Sequence, residues 1–140
     1  MTQTPTGYTR PELLADADWL QAHLDDPNVR VIDCATFDLY EKAHIRNAVG
    51  LRVNPFIKNV DDTVHVMPPD QFIKLMGDLG VGPDTTVVTY DTAGGVPASR
   101  MWWALNYYGH TKVKVLNGGW EKWFHEGRPV SREIPKVSAS

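Results

Sequence analysis

The chain has 140 residues, of which 42% are hydrophobic and 22% are charged, and its net charge is −3. This composition is typical of one globular domain with a proper core and excludes a disordered chain. No basic stripe predicts nucleic-acid binding, and no apolar run is long enough to predict a membrane span. The polar N-terminus predicts no secretory signal. The lone cysteine, Cys34, excludes an intrachain disulfide and a cysteine-based metal site, so we expect a cytoplasmic protein without metal or other cofactor.

Strand and helix patterns alternate along the chain. Apolar β-branched runs predict strands, and apolar residues at helical spacing predict helices. In order we predict a lead-in at 1–11, a strand at Glu12–Leu14, a helix at Ala17–Leu24 with Asp16 as N-cap, a strand at Val29–Cys34, a helix at Phe37–Ala43, a strand at Ala48–Val53, an irregular region at Asn54–Pro69, a helix at Asp70–Leu79, a strand at Thr86–Tyr90, a helix at Ala98–Tyr108, a strand at Thr111–Leu116, a helix at Trp120–Glu126, an extended piece at Arg128–Val130 and a tail at Ser131–Ser140.

This alternation predicts the fold class. Parallel strands need crossover connections, which helices normally supply. We therefore expect one α/β domain over residues 12–130, with a mostly parallel open sheet and helices on both faces.

The loop Asp91–Pro97 is the first place to look for chemistry. It follows a strand predicted to be buried, and in open α/β sheets ligands bind at the carboxyl ends of the strands. The helix that follows offers free N–H groups, which favour an anion. Asp91 is open to two interpretations, a site carboxylate or a loop Asp that caps the helix or binds local N–H groups. Gly94 and Gly95 allow the backbone to turn back on itself.

Three other kinds of side chain are candidates. Arg100, in the first helical turn, is expected to reach Asp91 or an anion in the loop, and a structural Arg–Asp tie is favoured. Cys34 is predicted to be a buried small hydrophobe rather than a nucleophile, which would need cations or a helix N-terminus nearby. The histidines show no metal-ligand spacing, and His44 is the one to watch. Four tryptophans predict core packing or an aromatic face that docks a neighbouring domain: Trp102, Trp103, Trp120 and Trp123.

Several motifs in a fixed order resemble the rhodanese family of thiosulfate and 3-mercaptopyruvate sulfurtransferases. The strongest are YDTAGGVPASRMWW and YGHTKVKVLNGGWEKWFHEGRPV, and upstream VIDC, AHIRNAVGL and MPPDQFIKLMGDLGVGPDTTVVTYD also fit. The resemblance covers roughly residues 13–130 and implies a rhodanese-like α/β fold. Arg46 and Asn47 replace the Pro-Gly that usually follows His-Ile in the family. In detail, the chain is similar to the N-terminal of the two domains in tandem members.

The resemblance also implies what the loop does. Active rhodanese domains begin this loop with a persulfide-forming cysteine, and here that position is Asp91. We therefore predict no catalytic residue, and a vestigial active-site loop of Asp91, Thr92, Ala93, Gly94, Gly95, Val96, Pro97 and Arg100. His44 is a candidate contributor to an interdomain site. The expected partner is a C-terminal catalytic rhodanese domain, reached through an interdomain linker that begins at 131–140.

Two functions remain open. In the first, the whole protein transfers sulfur from thiosulfate or 3-mercaptopyruvate to cyanide or a thiol, and this half supports the catalytic half. In the second, the chain is a stand-alone scaffold or regulatory module that binds a partner through its tryptophan-rich face.

Overall fold

A computed structural model describes residues 14–52, 57–58, 67–92 and 94–135. These residues form seven strands and five helices. The strands are β1 (Leu14–Ala15), β2 (Val29–Asp33), β3 (His44–Ile45), β4 (Val49–Gly50), β5 (Thr86–Tyr90), β6 (Val113–Leu116) and β7 (Val130–Ser131), and the helices are α1 (Ala17–Ala22), α2 (Phe37–Lys42), α3 (Pro69–Asp78), α4 (Val96–Tyr107) and α5 (Gly119–His125). None of the described helices is long and apolar enough to cross a bilayer.

Five strands form one parallel sheet in the order β1-β6-β5-β2-β4. In this order β5 is the central strand, and the longest ladder joins it to β2. The predicted α/β class with a mostly parallel sheet is confirmed. A separate antiparallel pair joins β3 to β7, which brings the C-terminal segment back onto the middle of the chain.

Both faces of the sheet are buried under helices. Adjacent strand residues point to opposite faces, so neighbours on one strand enter different hydrophobic clusters. On β5, Val87 belongs to the hydrophobic cluster shared with α3 and α4, whereas Val88 belongs to the cluster shared with α1, α2 and α5. On β2, Ile32 and Val31 divide in the same way. A strand buried on both faces needs a continuous apolar run, and this is why the sequence predicted β5 with the observed bounds.

Several predicted boundaries were wrong. The α4 helix begins at Val96 rather than Ala98, because proline is tolerated in the first helical turn and Pro97 therefore does not delay the start. The β6 strand begins at Val113 rather than Thr111, and α1 ends at Ala22 rather than Leu24. Asp16 occupies the N-cap position of α1, but its side chain makes no capping hydrogen bond.

The two-residue strand β3 was not predicted, and the predicted strand at Ala48–Val53 is reduced to β4. Both segments are too short to show an alternating pattern, and their strand geometry comes from pairing with distant residues. The last strand is Val130–Ser131, one residue into the predicted tail. The lead-in at 1–11 and most of Asn54–Pro69 lie outside the described residues. Within that region Ile57 is buried, and its carbonyl accepts a hydrogen bond from the Met67 N–H.

Gly50 carries a specific packing requirement. A Cβ atom added at this position would lie 2.6–2.9 Å from three ring atoms of Tyr40, which is fully buried and donates its hydroxyl hydrogen to the Ala48 carbonyl. We expect Gly50→Ala to lower the free energy of unfolding by about 1–3 kcal/mol through overpacking, measured by chemical denaturation. In a Tyr40→Leu background, which removes the ring, most of this cost should disappear. Equal costs in the two backgrounds would contradict the steric explanation.

Candidate functional site

The loop after β5 is held between two helix starts at the carboxyl edge of the sheet. The buried Thr89 hydroxyl donates to the carbonyl of Ala98 at 3.1 Å, which fixes the first turn of α4 against the strand. On the other side, the N–H of Trp120 in α5 donates to the Asp91 carbonyl at 3.3 Å. A Cβ at Gly119 would lie 3.2 Å from that same carbonyl, which is tighter than an ordinary contact, and the φ of +57° also favours glycine here. The start of α4 is therefore tied to β5, and the start of α5 is tied to the loop, each by a hydrogen bond to a backbone carbonyl.

The Asp91 carboxylate points into the loop and is 4% exposed. Its Oδ1 accepts a hydrogen bond from the Gly95 N–H at 2.9 Å, and its Oδ2 accepts one from the Ala98 N–H at 2.7 Å. These N–H groups belong to the start of α4, where backbone donors have no partner within the helix. The geometry is that of the capping interpretation of Asp91. The anion that the helix start favours is this chain's own carboxylate.

Two glycines give the loop the shape that this contact needs. Gly94 and Gly95 have φ angles of +80° and +101°, in the left-handed region that other residues rarely adopt. Because Gly95 is the N-cap of α4, the five-residue connection 91–95 turns back and places the Gly95 N–H against the Asp91 carboxylate. The loop is two residues shorter than predicted, and Ala93 lies outside the described residues.

A cavity of about 510 Å³ lies beside the loop. It is bounded by the Asp91 loop on one side and by the start of α5, including Gly119 and Trp120, on the other. Ser99 of α4 and Leu14 of β1 also line the cavity. The cavity is thus at the position where chemistry is expected in this type of sheet, but the charged group next to it is already bound to backbone N–H groups.

Cys34 is not placed to act as a nucleophile at the Asp91 loop. Its side chain is fully buried, and its thiol lies 3.8 Å from the Ile32 carbonyl. Burial raises the pKa of this thiol well above its ordinary value, and the neighbouring Asp33 and Asp91 charges raise it further. The reactive form of cysteine is the thiolate, which this environment disfavours. The predicted role as a buried small hydrophobe is confirmed.

Asp33 is a buried acid that sequence reasoning missed. It is 2% exposed, and it accepts hydrogen bonds from the Ala35 N–H at 2.8 Å and the Tyr90 hydroxyl at 2.9 Å. The Tyr90 oxygen in turn accepts from the Ile45 N–H at 3.0 Å. Burial raises the pKa of Asp33 to about 6, against the lowering effect of these hydrogen bonds and of the nearby His44 charge. The signal in the sequence was an acid at the end of a strand that is apolar apart from Arg30.

His44 is in the interior rather than in the cavity. Its ring is fully buried and stacks on Tyr40 with a centroid distance of 4.0 Å. Its two ring nitrogens lie 2.8 Å from the Tyr40 carbonyl oxygen and 2.6 Å from that of Glu133. The predicted contribution of His44 to an interdomain site stays a prediction, and this position does not support it.

Arg100 is half-buried on α4. Its guanidinium is 4.4 Å from the ring centroid of Trp103, so a cation–π contact fixes it. The predicted tie between Arg100 and Asp91 stays a prediction. The tryptophans do not share one face: Trp123 is fully buried, Trp103 is 39% exposed, and Trp102 and Trp120 are half-buried.

The comparisons with known proteins agree with this architecture. Residues 16–126 match the family described as "Rhodanese-like domain". The chain belongs to the rhodanese-like domain family. Among solved structures it is similar to the 3-mercaptopyruvate sulfurtransferase SseA of Escherichia coli, with a TM-score of 0.80 and 26% identity over 91% of this chain and 53% of that one. Both the family and the rhodanese fold predicted from the motifs are confirmed.

Curated relatives show the same relationship. The sulfur carrier protein TtuD of Thermus thermophilus is 39% identical over 132 residues, which is 92% of this chain and 45% of that protein. The 3-mercaptopyruvate sulfurtransferase of E. coli K12 is 32% identical over 76% of this chain and 42% of its own length. This rhodanese-like chain therefore spans about half the length of these relatives, which fits one domain of a tandem protein.

Proposed function

We propose that this rhodanese-like chain is the non-catalytic, N-terminal half of a two-domain cytoplasmic sulfurtransferase. The full protein would transfer sulfur from thiosulfate or 3-mercaptopyruvate to cyanide or a thiol, through a cysteine persulfide on the second domain. The observation that carries the proposal is the Asp91 carboxylate, which occupies the N–H groups at the start of α4. A carboxylate cannot accept and pass on a sulfane sulfur.

The remaining sulfur chemistry of the chain supports the same conclusion. Cys34 is the one cysteine in the sequence, and it is buried with a raised thiol pKa. Sulfur transfer begins with attack of a thiolate on the outer sulfur of the donor, and this thiol is neither ionised readily nor accessible. Activity would therefore depend on a cysteine supplied by another domain.

The lengths of the relatives and the cavity beside the loop both fit a domain that assists a catalytic second domain. Because curated relatives are about twice as long as the matched region, a second domain is the expected neighbour. The 510 Å³ cavity beside Asp91 lies at the edge of the sheet where this fold places its chemistry, and it is suited to form one wall of a shared site.

A second candidate function, a scaffold or regulatory module, is favoured by one surface feature. Val96, Trp103 and Tyr107 lie on one side of α4 at helical spacing and are 61%, 39% and 61% exposed. Trp103 and Tyr107 stack at a centroid distance of 5.0 Å, which makes a rigid apolar surface. A catalytic domain or a separate protein could cover it. The coding sequence after Ser140 separates the two functions, since a second rhodanese-like domain with a cysteine-initiated loop supports the first and a stop codon supports the second.

The proposal predicts an inactive chain. The purified 140-residue protein, incubated with thiosulfate and cyanide, is expected to release no thiocyanate above background, and a two-domain sulfurtransferase provides the positive control. Thiocyanate release that disappears in Cys34→Ser would overturn the assignment of a non-catalytic half.

Replacing Asp91 with cysteine tests whether the loop has kept a cradle for sulfur. In Asp91→Cys with Cys34→Ser, the new thiolate would face the N–H groups of Gly95 and Ala98, which favour its charged form. It would attack the outer sulfur of thiosulfate, form a persulfide and release sulfite. We expect a mass gain of one sulfur atom by intact-protein mass spectrometry, whereas Cys34→Ser alone gains none. Absence of a mass gain in the double variant as well would show that the loop differs from an active cradle.

A further inference from the structure

The C-terminal strap, residues 130–135, returns to the domain and is fastened at a buried histidine. Its first part, β7, pairs with β3, and Pro129 just before it accepts hydrogen bonds from the Trp123 indole at 2.8 Å and the Arg46 N–H at 3.3 Å. Further along, the Glu133 carbonyl lies 2.6 Å from Nε2 of His44. Apart from this contact, the side chains of Arg132, Glu133 and Ile134 are exposed.

The hydrogen bonds of His44 constrain its protonation. Nδ1 faces the Tyr40 carbonyl and Nε2 faces the Glu133 carbonyl, and a carbonyl oxygen can only accept. A neutral imidazole has one N–H and can satisfy one of these two carbonyls. The imidazolium has two N–H groups and satisfies both, so the observed geometry is complete only with the charged ring.

The elements packed around the ring fit a cation. The Tyr40 ring of α2 covers one face of the imidazole. The His44 charge lowers the pKa of the Asp33 carboxyl on β2, and the Tyr90 hydroxyl of β5 donates a hydrogen bond to it. The charge of Asp91 raises the pKa of Asp33. The charged side chains of α5 and of the strap point to solvent, and they are Glu121, Lys122, His125, Glu126, Arg132 and Glu133.

We propose that His44 is a pH-sensitive clasp, which holds the strap when its ring is doubly protonated and releases it when the second proton is lost. Of the two carbonyls, that of Tyr40 is four residues away in the same segment and is fixed by α2. The Glu133 carbonyl belongs to an exposed edge segment and is the one free to move away. The strap is therefore fastened at lower pH and freed at higher pH. The proposal is independent of the function of any second domain.

Nuclear magnetic resonance of the 140-residue chain tests the clasp directly. Long-range proton–nitrogen spectra report the protonation of both His44 ring nitrogens, and amide hydrogen exchange, corrected for its intrinsic pH dependence, reports the strap. We expect both nitrogens to be protonated where the strap amides, including that of Ser131 opposite His44 in the β3–β7 ladder, are protected. Protection should fall by about tenfold or more as the second ring proton is lost. A singly protonated ring in the fastened state would overturn the proposal. Amide protection that stays the same when the ring loses its second proton would also overturn it.

Variants separate His44 from its neighbours. His44→Gln, whose amide neither gains nor loses a proton in this range, should abolish the pH-dependent release of the strap, whereas the matched change His125→Gln on exposed α5 should leave the release intact. Asp33→Asn should keep the release but move it to lower pH, because the carboxylate that supports the cation is gone. Disappearance of the release in Asp33→Asn would assign the transition to Asp33 and contradict the clasp. The wild-type titration decides the question if His44→Gln does not fold.

Discussion

Asp91→Ala is expected to lower the free energy of unfolding by about 2–4 kcal/mol, one of the two largest single-residue effects that we predict for this domain. The change removes both hydrogen bonds and leaves the half-buried Gly95 N–H and the buried Ala98 N–H without this acceptor at the start of a twelve-residue helix. Hydrogen bonds to a charged acceptor are stronger than neutral ones, and the site is 4% exposed, so water replaces them poorly. Chemical denaturation of the purified variant measures the effect.

Two matched variants make the result specific. Asp91→Asn keeps one oxygen acceptor but loses the charge, so its cost should lie between those of the wild type and the alanine variant. Asp84→Ala removes an exposed aspartate just before β5 and should change stability by less than about 0.5 kcal/mol. If Asp84→Ala and Asp91→Ala cost the same, the Asp91 carboxylate does not stabilise the helix start.

A small anion offers a second readout of the same site. Formate carries a carboxylate that can occupy the space left by the alanine substitution and accept from the same two N–H groups. At constant ionic strength, formate should raise the denaturation midpoint of Asp91→Ala more than that of the wild type, whose own carboxylate fills the site. An equal effect of formate on both proteins would indicate that the loop rearranges when Asp91 is removed.

Asp33→Asn is expected to remove a pH dependence of stability of about 3 kcal/mol between pH 4 and pH 7. The pKa of Asp33 rises from 3.8 to about 6 because the carboxyl is buried. A raised pKa means that folding favours the protonated acid. Its contribution is therefore fully present below pH 3.8 and is lost as the pH rises through about 6. Relative to Asp33→Asn, the wild-type protein should become less stable as the pH increases over this range.

The measurement compares the free energies of unfolding of the two proteins at several pH values. Tyr90→Phe is the informative third protein. In the wild type the Tyr90 hydroxyl donates to Asp33 at 2.9 Å and thereby stabilises the charged carboxylate, and the substitution removes this donor. Loss of this donor should raise the Asp33 pKa further, so the loss of stability should extend to higher pH. A difference between wild type and Asp33→Asn that is constant from pH 4 to pH 7 would show that burial does not perturb this acid.

Local pattern was sufficient for the central part of the site. The β-branched run that forms β5 predicted a buried strand with the observed bounds, and the position of Asp91 directly after it followed from that strand. The start of α4 was less predictable, because Pro97 suits both a loop and a first helical turn. The family motifs predicted a rhodanese-like domain, which the matches confirm.

The sequence by itself determined the parallel α/β arrangement and the position of Asp91 directly after β5, because strand, helix and turn signals are carried by neighbouring residues. Only the tertiary structure decided where the polar side chains bind. Tyr90 and Asp33 are 57 residues apart, and His44 and the Glu133 carbonyl are 89 residues apart. Such pairs depend on sheet order and on the return of the last strand, which no local pattern encodes. For the same reason, the choice between the two interpretations of Asp91, a site carboxylate or a helix cap, needed the placement of the Gly95 and Ala98 N–H groups around its carboxylate.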